Sequence, residues 1–278
     1  MFVYATMAFQ TGNANFLDIQ NQLNALILNP IVLTFVTVIM YVFSLIIFYL
    51  CARFIHKRKF ISFINLNSKL SWVKILKGSG LWFAILGGFT LISVLLSPGA
   101  YNYTFQPSAF AILLLIVIIG IPIQASFEEI FFRGYLMQGV GKLTKKPIIP
   151  LLVTSVLFAI LHGANGISDL VNIFIVIQIL VIGLMLGIIV LGENRIETAM
   201  GIHIANNIFA FLVVSSSDEV VSGVPSILTA PQSTPMDLYI GLLTTVIAAL
   251  IVLTVVFWGK KDKLIDIFRW KDAENREI

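Results

Sequence analysis

The chain has 278 residues, of which 58% are hydrophobic and only 12% charged, with a mean hydropathy of +0.97. A soluble domain is about half apolar and a quarter charged, so this composition leaves too little polar surface to cover a water-soluble globule. The net charge of +4 would suit a nucleic-acid partner, but basic residues in a membrane protein mark its cytoplasmic loops, and no nucleic-acid partner is expected. Cys51, the single cysteine, excludes an internal disulfide and a cysteine metal cluster.

A transmembrane helix needs about 20 mostly apolar residues. Read in chain order, apolar runs predict spans at 31–52, 81–96, 109–127, 148–161, 170–191, 198–214 and 238–258. Met1 to Pro30 lacks a basic start, so no cleavable leader is expected there. The mixed segment Phe60–Lys77 predicts an amphipathic helix lying on the membrane surface. Segment Gln124–Gly141 either continues the third span or forms an eighth after a break at Gly120 and Pro122, because an internal proline removes a backbone hydrogen bond. The expectation is an all-α polytopic transmembrane bundle of seven or eight spans in one membrane-embedded domain, 1–278. Its motif core is 120–215 and its basic tail 259–278.

Lysine and arginine set the orientation. All 18 fall in four groups: Arg53–Lys77, Arg133–Lys146, Arg195, and the tail from Lys260. The intervening loops at 101–106, 163–169 and 215–237 have none. Seven spans with the N-terminus outside place every basic residue, and the C-terminus, in the cytoplasm.

Few ionisable residues fall within the spans, and such residues are costly there and usually functional. They are Glu128, Glu129 and Arg133 in Ser126–Gly134, His162 in Phe158–His162, and His203 with Asn206 and Asn207. An antiparallel hairpin turning at 142–147 would set Glu128 and His162 both about 21–23 Å from the turn, and so level. Glu129 and Arg133 are an i,i+4 pair, acid before base, which leaves Glu128 without a local partner. His203 and Asn207 are also i,i+4 and can face one cavity, while Phe158 lies one turn from His162. A carboxylate removed from bulk water, with a histidine beside it, supports hydrolysis by an activated water, and a His–Asn pair offers donors to an oxyanion. Neither a serine-protease arrangement nor a His-Glu-x-x-His zinc signature is present.

The order Glu-Glu-x-x-x-Arg, Phe-x-x-x-His, His-x-x-x-Asn resembles the CAAX-protease and bacteriocin-processing (Abi) family of intramembrane proteases. The resemblance implies that Glu128 and His162 activate water, that His203 and Asn207 stabilise the oxyanion, and that Glu129 and Arg133 support them. It further implies a membrane-associated or lipidated peptide as substrate, within a bacterial cell membrane. Zinc is the open cofactor question: Glu128, His162 and His203 are the candidate ligands, and the same residues serve a metal-free mechanism. A catalytically silent scaffold or immunity protein is the alternative, with a transporter behind it, since neither an inverted repeat nor paired broken helices are evident.

Overall fold

The computed structural model describes residues 28–65, 69–144 and 146–260, together with 25, 262, 264 and 265. The rest of the N-terminal segment, and the remainder of the basic tail assigned to 259–278, lie outside the described residues.

Helix α1 (Pro30–Leu50) begins where the Asn29 side chain accepts from the amides of Ile31 and Val32 and Pro30 occupies the first turn. A π-helical turn, Cys51–Ile55, extends it to the basic loop. Helix α2 (Trp72–Leu96) stops just before Pro98. Helix α3 (Pro107–Glu129) passes through Pro122 without ending and runs on as a π-helical stretch, Ile130–Leu136, into α4 (Met137–Gly141). Gln124–Gly141 is therefore no separate span: residues 107–141 form one helical rod of 35 residues. Helices α5 (Ile148–Leu161), α6 (Asp169–Glu193), α7 (Glu197–Leu212) and α8 (Pro235–Val256) complete the bundle. Ser168 caps α6, and a reciprocal Thr234–Asp237 capping box starts α8.

These helices account for all seven segments expected from the sequence. Among the described residues, five helices are long and apolar enough to cross a membrane: 30–55, 72–96, 107–141, 169–193 and 235–256. Helices α5 and α7, with 14 and 16 residues, are shorter than a full span. The predicted surface helix at 60–77 is not formed. Phe60–Phe63 is a single 3-10 turn, and Trp72–Lys77 are the first turns of α2. The aromatic rings decide this, because Phe63 is buried against Phe48 and Tyr135, with the Arg58 guanidinium over its face.

Large apolar side chains such as Phe35, Phe43, Leu115, Ile119, Leu243 and Leu250 point outward, while Glu129, Arg133, Thr154, Ser155 and Glu197 are buried. That distribution inverts a soluble protein's and fits a lipid surround. Helix α7 sits at the centre, against α2 and α3. Its closest approach to α2 requires glycine. A Cβ at Gly201 would collide with the Ile75 carbonyl, and one at Gly78 would lie 2.5 Å from the Thr198 carbonyl.

The two ends of the bundle differ as the charge pattern predicts. At one end Asn65 bridges Arg195, Lys74 pairs with Glu193 at 2.5 Å, and Arg58 donates to Gln138 at 3.2 Å, drawing the basic loops together. At the other, β1 (Asn102–Tyr103) and β2 (Val214–Ser216) flank β3 (Leu228–Ala230), antiparallel and parallel respectively. Gly166 bridges Glu219 at that end, so the loops without lysine or arginine are joined there.

Candidate active site

The last turns of α3 carry Gln124, Glu128 and Glu129, and the π-helical stretch that follows carries Arg133. π-Helical bulges recur at functional sites because they re-aim side chains within a continuous helix. Glu129 and Arg133 form the expected pair, Nη1 to Oε1 at 2.8 Å, with both side chains fully buried. Arg133 also donates to the Gly183 carbonyl at 3.3 Å and stacks 4.4 Å over the Phe158 ring. The guanidinium is thus held by a carboxylate, a carbonyl and a π-face at once.

His203, reaching in from α7, touches both acids. Its Nδ1 lies 2.9 Å from Glu129 Oε1 and its Nε2 3.5 Å from Glu128 Oε2. An ionised carboxylate only accepts hydrogen bonds, so Nδ1 carries the hydrogen in that contact. Nε2 is left facing a second carboxylate oxygen. His203 thus bridges the two acids, of which Glu129 alone is paired with Arg133.

Glu128 is not the partnerless acid expected from its place on the helix. The Tyr41 hydroxyl donates to its Oε1 at 2.5 Å, and the Gln124 amide donates to the same oxygen at 2.6 Å. The other oxygen, Oε2, is buried and accepts no hydrogen bond among the described residues. Gln124 is itself held by a directed series of amides. Trp82 Nε1 donates to Asn206, Asn206 to Asn207, and Asn207 to Gln124, at 3.1, 3.0 and 2.8 Å. Asn207 accordingly reaches Glu128 through Gln124.

His162 is the half-buried residue that ends α5. Its Nδ1 donates to the Phe158 carbonyl at 2.7 Å, which leaves Nε2 with a free lone pair. Its ring packs on Phe158 at 4.6 Å between centroids, and the Phe158 ring also meets the edge of His203 at 5.7 Å. Phe158 therefore orients both histidines, the role its spacing suggested for His162 alone.

Five of the seven expected residues, Glu128, Glu129, Arg133, His203 and Phe158, meet at this cluster, and Asn207 and His162 are each one contact from it, through Gln124 and Phe158. The zinc trio fares differently. Glu128, His162 and His203 do not converge, and no three His, Cys, Asp or Glu side chains among the described residues form a group able to hold a metal ion. Sequence reasoning missed Tyr41, Gln124 and Trp82. Gln124 carried a usable signal, since it stands one turn before Glu128. Tyr41 carried none, being one polar tip in an apolar run 87 residues away.

Residues 107–209, from the start of α3 to two residues beyond Asn207, match the family described as type II CAAX prenyl endopeptidase Rce1-like. A protein of Bacillus subtilis (strain 168), the uncharacterized protein YyaK, is 34% identical over 213 residues, covering 76% of this chain and 71% of that one. No solved structure matches. The matched segment holds Glu128, Glu129, Arg133, His162, His203 and Asn207 in family order, and the chain belongs to the CAAX-protease and bacteriocin-processing family, with an Rce1-like domain.

Proposed function

We propose that the protein is an intramembrane endopeptidase that hydrolyses a peptide bond of a membrane-associated or lipidated peptide, with Glu128 as the general base. The observation that carries this reading is Glu128 Oε2: buried, without a hydrogen bond among the described residues, 3.5 Å from a histidine nitrogen, and on a carboxylate that, unlike Glu129 with its own unbonded Oε2, is not tied to Arg133. A buried acceptor left unsatisfied is unfavourable unless a ligand or water completes it.

In this mechanism Oε2 takes a proton from water as the water oxygen adds to the scissile carbonyl carbon. The carbon–nitrogen bond of the tetrahedral intermediate then breaks, and the proton passes to the leaving amine. One water is consumed, its hydroxyl ending on the new carboxyl group and its proton on the new amine. His203, whose Nδ1 is committed to Glu129, stores or returns a proton at Nε2 beside Glu128. His162, with its Nε2 lone pair free, is a second proton acceptor at the edge of the cluster. Asn207 has a second amide hydrogen beyond the one given to Gln124, and that hydrogen is available to an oxyanion. Glu129 and Arg133 hold His203 and keep the charge of the cluster nearly balanced. No step requires a metal.

The bundle end that gathers the basic loops faces the cytoplasm in this reading, within a bacterial cell membrane. Prenylated C-terminal peptides, leader peptides and signalling pro-peptides all fit a site open to membrane-anchored chains. Membrane peptides of cells carrying wild type or Glu128→Gln should be compared by mass spectrometry. A peptide processed only with the wild type is the expected result. Identical peptide sets, confirmed with purified protein on those peptides, would refute the reading.

A further inference from the structure

The residues of the matched segment, 107–209, do not by themselves account for the geometry of Glu128. A glutamate carboxylate is symmetric about its last side-chain torsion, which is broad and roughly two-fold. Its two oxygens exchange freely unless the surroundings tell them apart. Here they do, because Tyr41 and Gln124 both donate to Oε1 and no described residue donates to Oε2.

The two donors are not equivalent. Gln124 stands four residues before Glu128 on the same helix and moves with it. Tyr41 comes from α1, a different helix, which packs chiefly along α3. Tyr41 is the residue of a second element that donates directly to the carboxylate, whereas α7 reaches it through the Asn207–Gln124 bond and the longer 3.5 Å approach of His203. Its own ring is held edge-on by Phe127 at 5.8 Å, and one turn before it Val38 fills the space over Gly120. The hydroxyl is therefore delivered by a supported side chain on a helix seated against α3.

We propose that Tyr41 is a positioning residue for the water-activating carboxylate: its hydroxyl, with the Gln124 amide, anchors Oε1 of Glu128 and presents Oε2 to the reacting water. The first span is then part of the active site and not only a lipid-facing support. This rests on the reading of Glu128 as general base. A hydrogen bond to a charged group is worth enough that its loss should reduce the chemical step by about 10- to 100-fold.

The test uses purified full-length protein in detergent with one shared peptide substrate, comparing wild type, Tyr41→Phe, Tyr41→Leu and Glu128→Gln. Tyr41→Phe keeps the ring against Phe127 and removes only the hydroxyl. It is expected to lower kcat by about 10- to 100-fold, with KM within about twofold and an unchanged melting temperature. Tyr41→Leu should lose kcat similarly and melt lower, since the ring contact goes too. Infrared difference spectra supply a readout that packing does not move. Tyr41→Phe should shift a carboxylate stretching band in the wild-type background, and no such band should shift in the Glu128→Gln background. Wild-type kcat in Tyr41→Phe, with Glu128→Gln inactive, overturns this proposal and leaves the base assignment standing. Full activity in Glu128→Gln overturns the base assignment, and this proposal with it. A Tyr41→Phe protein that loses only stability, or only substrate affinity, also overturns the proposal, because the hydroxyl would then serve packing or binding.

Discussion

Glu129→Gln tests the division of labour between the two adjacent acids. Glu129 and Arg133 are both fully buried, and the pair is closed by a 2.8 Å contact. Removing one partner of such a pair costs about 3–5 kcal/mol, because the remaining charge is left uncompensated. The Gly183 carbonyl at 3.3 Å and the Phe158 face at 4.4 Å still hold the guanidinium. Glu128, joined to Glu129 through His203, supplies a second negative charge. Both offsets favour the lower end of the range, about 3 kcal/mol. At about 2–4 °C per kcal/mol for a domain of 150–250 residues, the expected fall in melting temperature is roughly 6–12 °C. Glu128→Gln should behave differently. Its amide oxygen still accepts from Tyr41 and Gln124, and its amide nitrogen can donate to His203 Nε2, so its melting temperature should stay within about 3 °C of wild type. Its cleavage rate should fall by about 10² to 10⁴. Thermal unfolding in detergent, followed beside cleavage of one peptide, reads both quantities. A Glu129→Gln protein that melts with the wild type, beside a destabilised Glu128→Gln that still cleaves, would refute the reasoning.

Three further outcomes follow from the same geometry. Gly201→Ala sets a methyl group against the Ile75 backbone, which cannot rotate away, so it should cost about 1–3 kcal/mol and lower activity by displacing His203. Gly88→Ala, with open space around its Cβ in the same α2, should be neutral or stabilising by up to about 1 kcal/mol in the same melts. In a Cys51→Ser background, a cysteine at the exposed Gln232 should react with an impermeant thiol reagent in intact cells, while one at the exposed Lys69 should not; the reverse pattern would invert the topology. Purified protein is expected to keep its activity through chelation, since the candidate zinc ligands do not converge. Loss on chelation with recovery on adding zinc would show that the side chains rearrange around a metal.

Much of the fold was legible because apolar runs report burial in lipid directly. The errors fell where charge and helix coincide. Lys74 and Lys77 made the start of α2 look like a surface segment, yet α2 begins at Trp72 and Lys74 pairs with Glu193 across the bundle end. Local spacing likewise revealed the pairs made within one helix, Glu129–Arg133 and in principle Gln124–Glu128. It could not reveal Tyr41 or Trp82, whose partners lie 87 and 124 residues away. Nor could it show that Asn207 would spend an amide hydrogen on Gln124, because that contact joins α7 to α3.

The site nonetheless follows from one feature of the sequence, two glutamates side by side at 128 and 129. Neighbours on a helix point about 100° apart, so one helix turn sends them towards different partners. Glu129 turns to the interior, where Arg133, one turn on, meets it under the Phe158 ring. Glu128 turns towards α1, where Tyr41, with Gln124 of its own helix, takes one oxygen, and no described residue donates to the other. His203 spans the gap, a nitrogen to each acid. Its ring thus links a carboxylate paired with Arg133 to one held by Tyr41 and Gln124. Adjacent identical residues acquire different partners through helical geometry, and in the proposed mechanism exchanging those partners should exchange their functions.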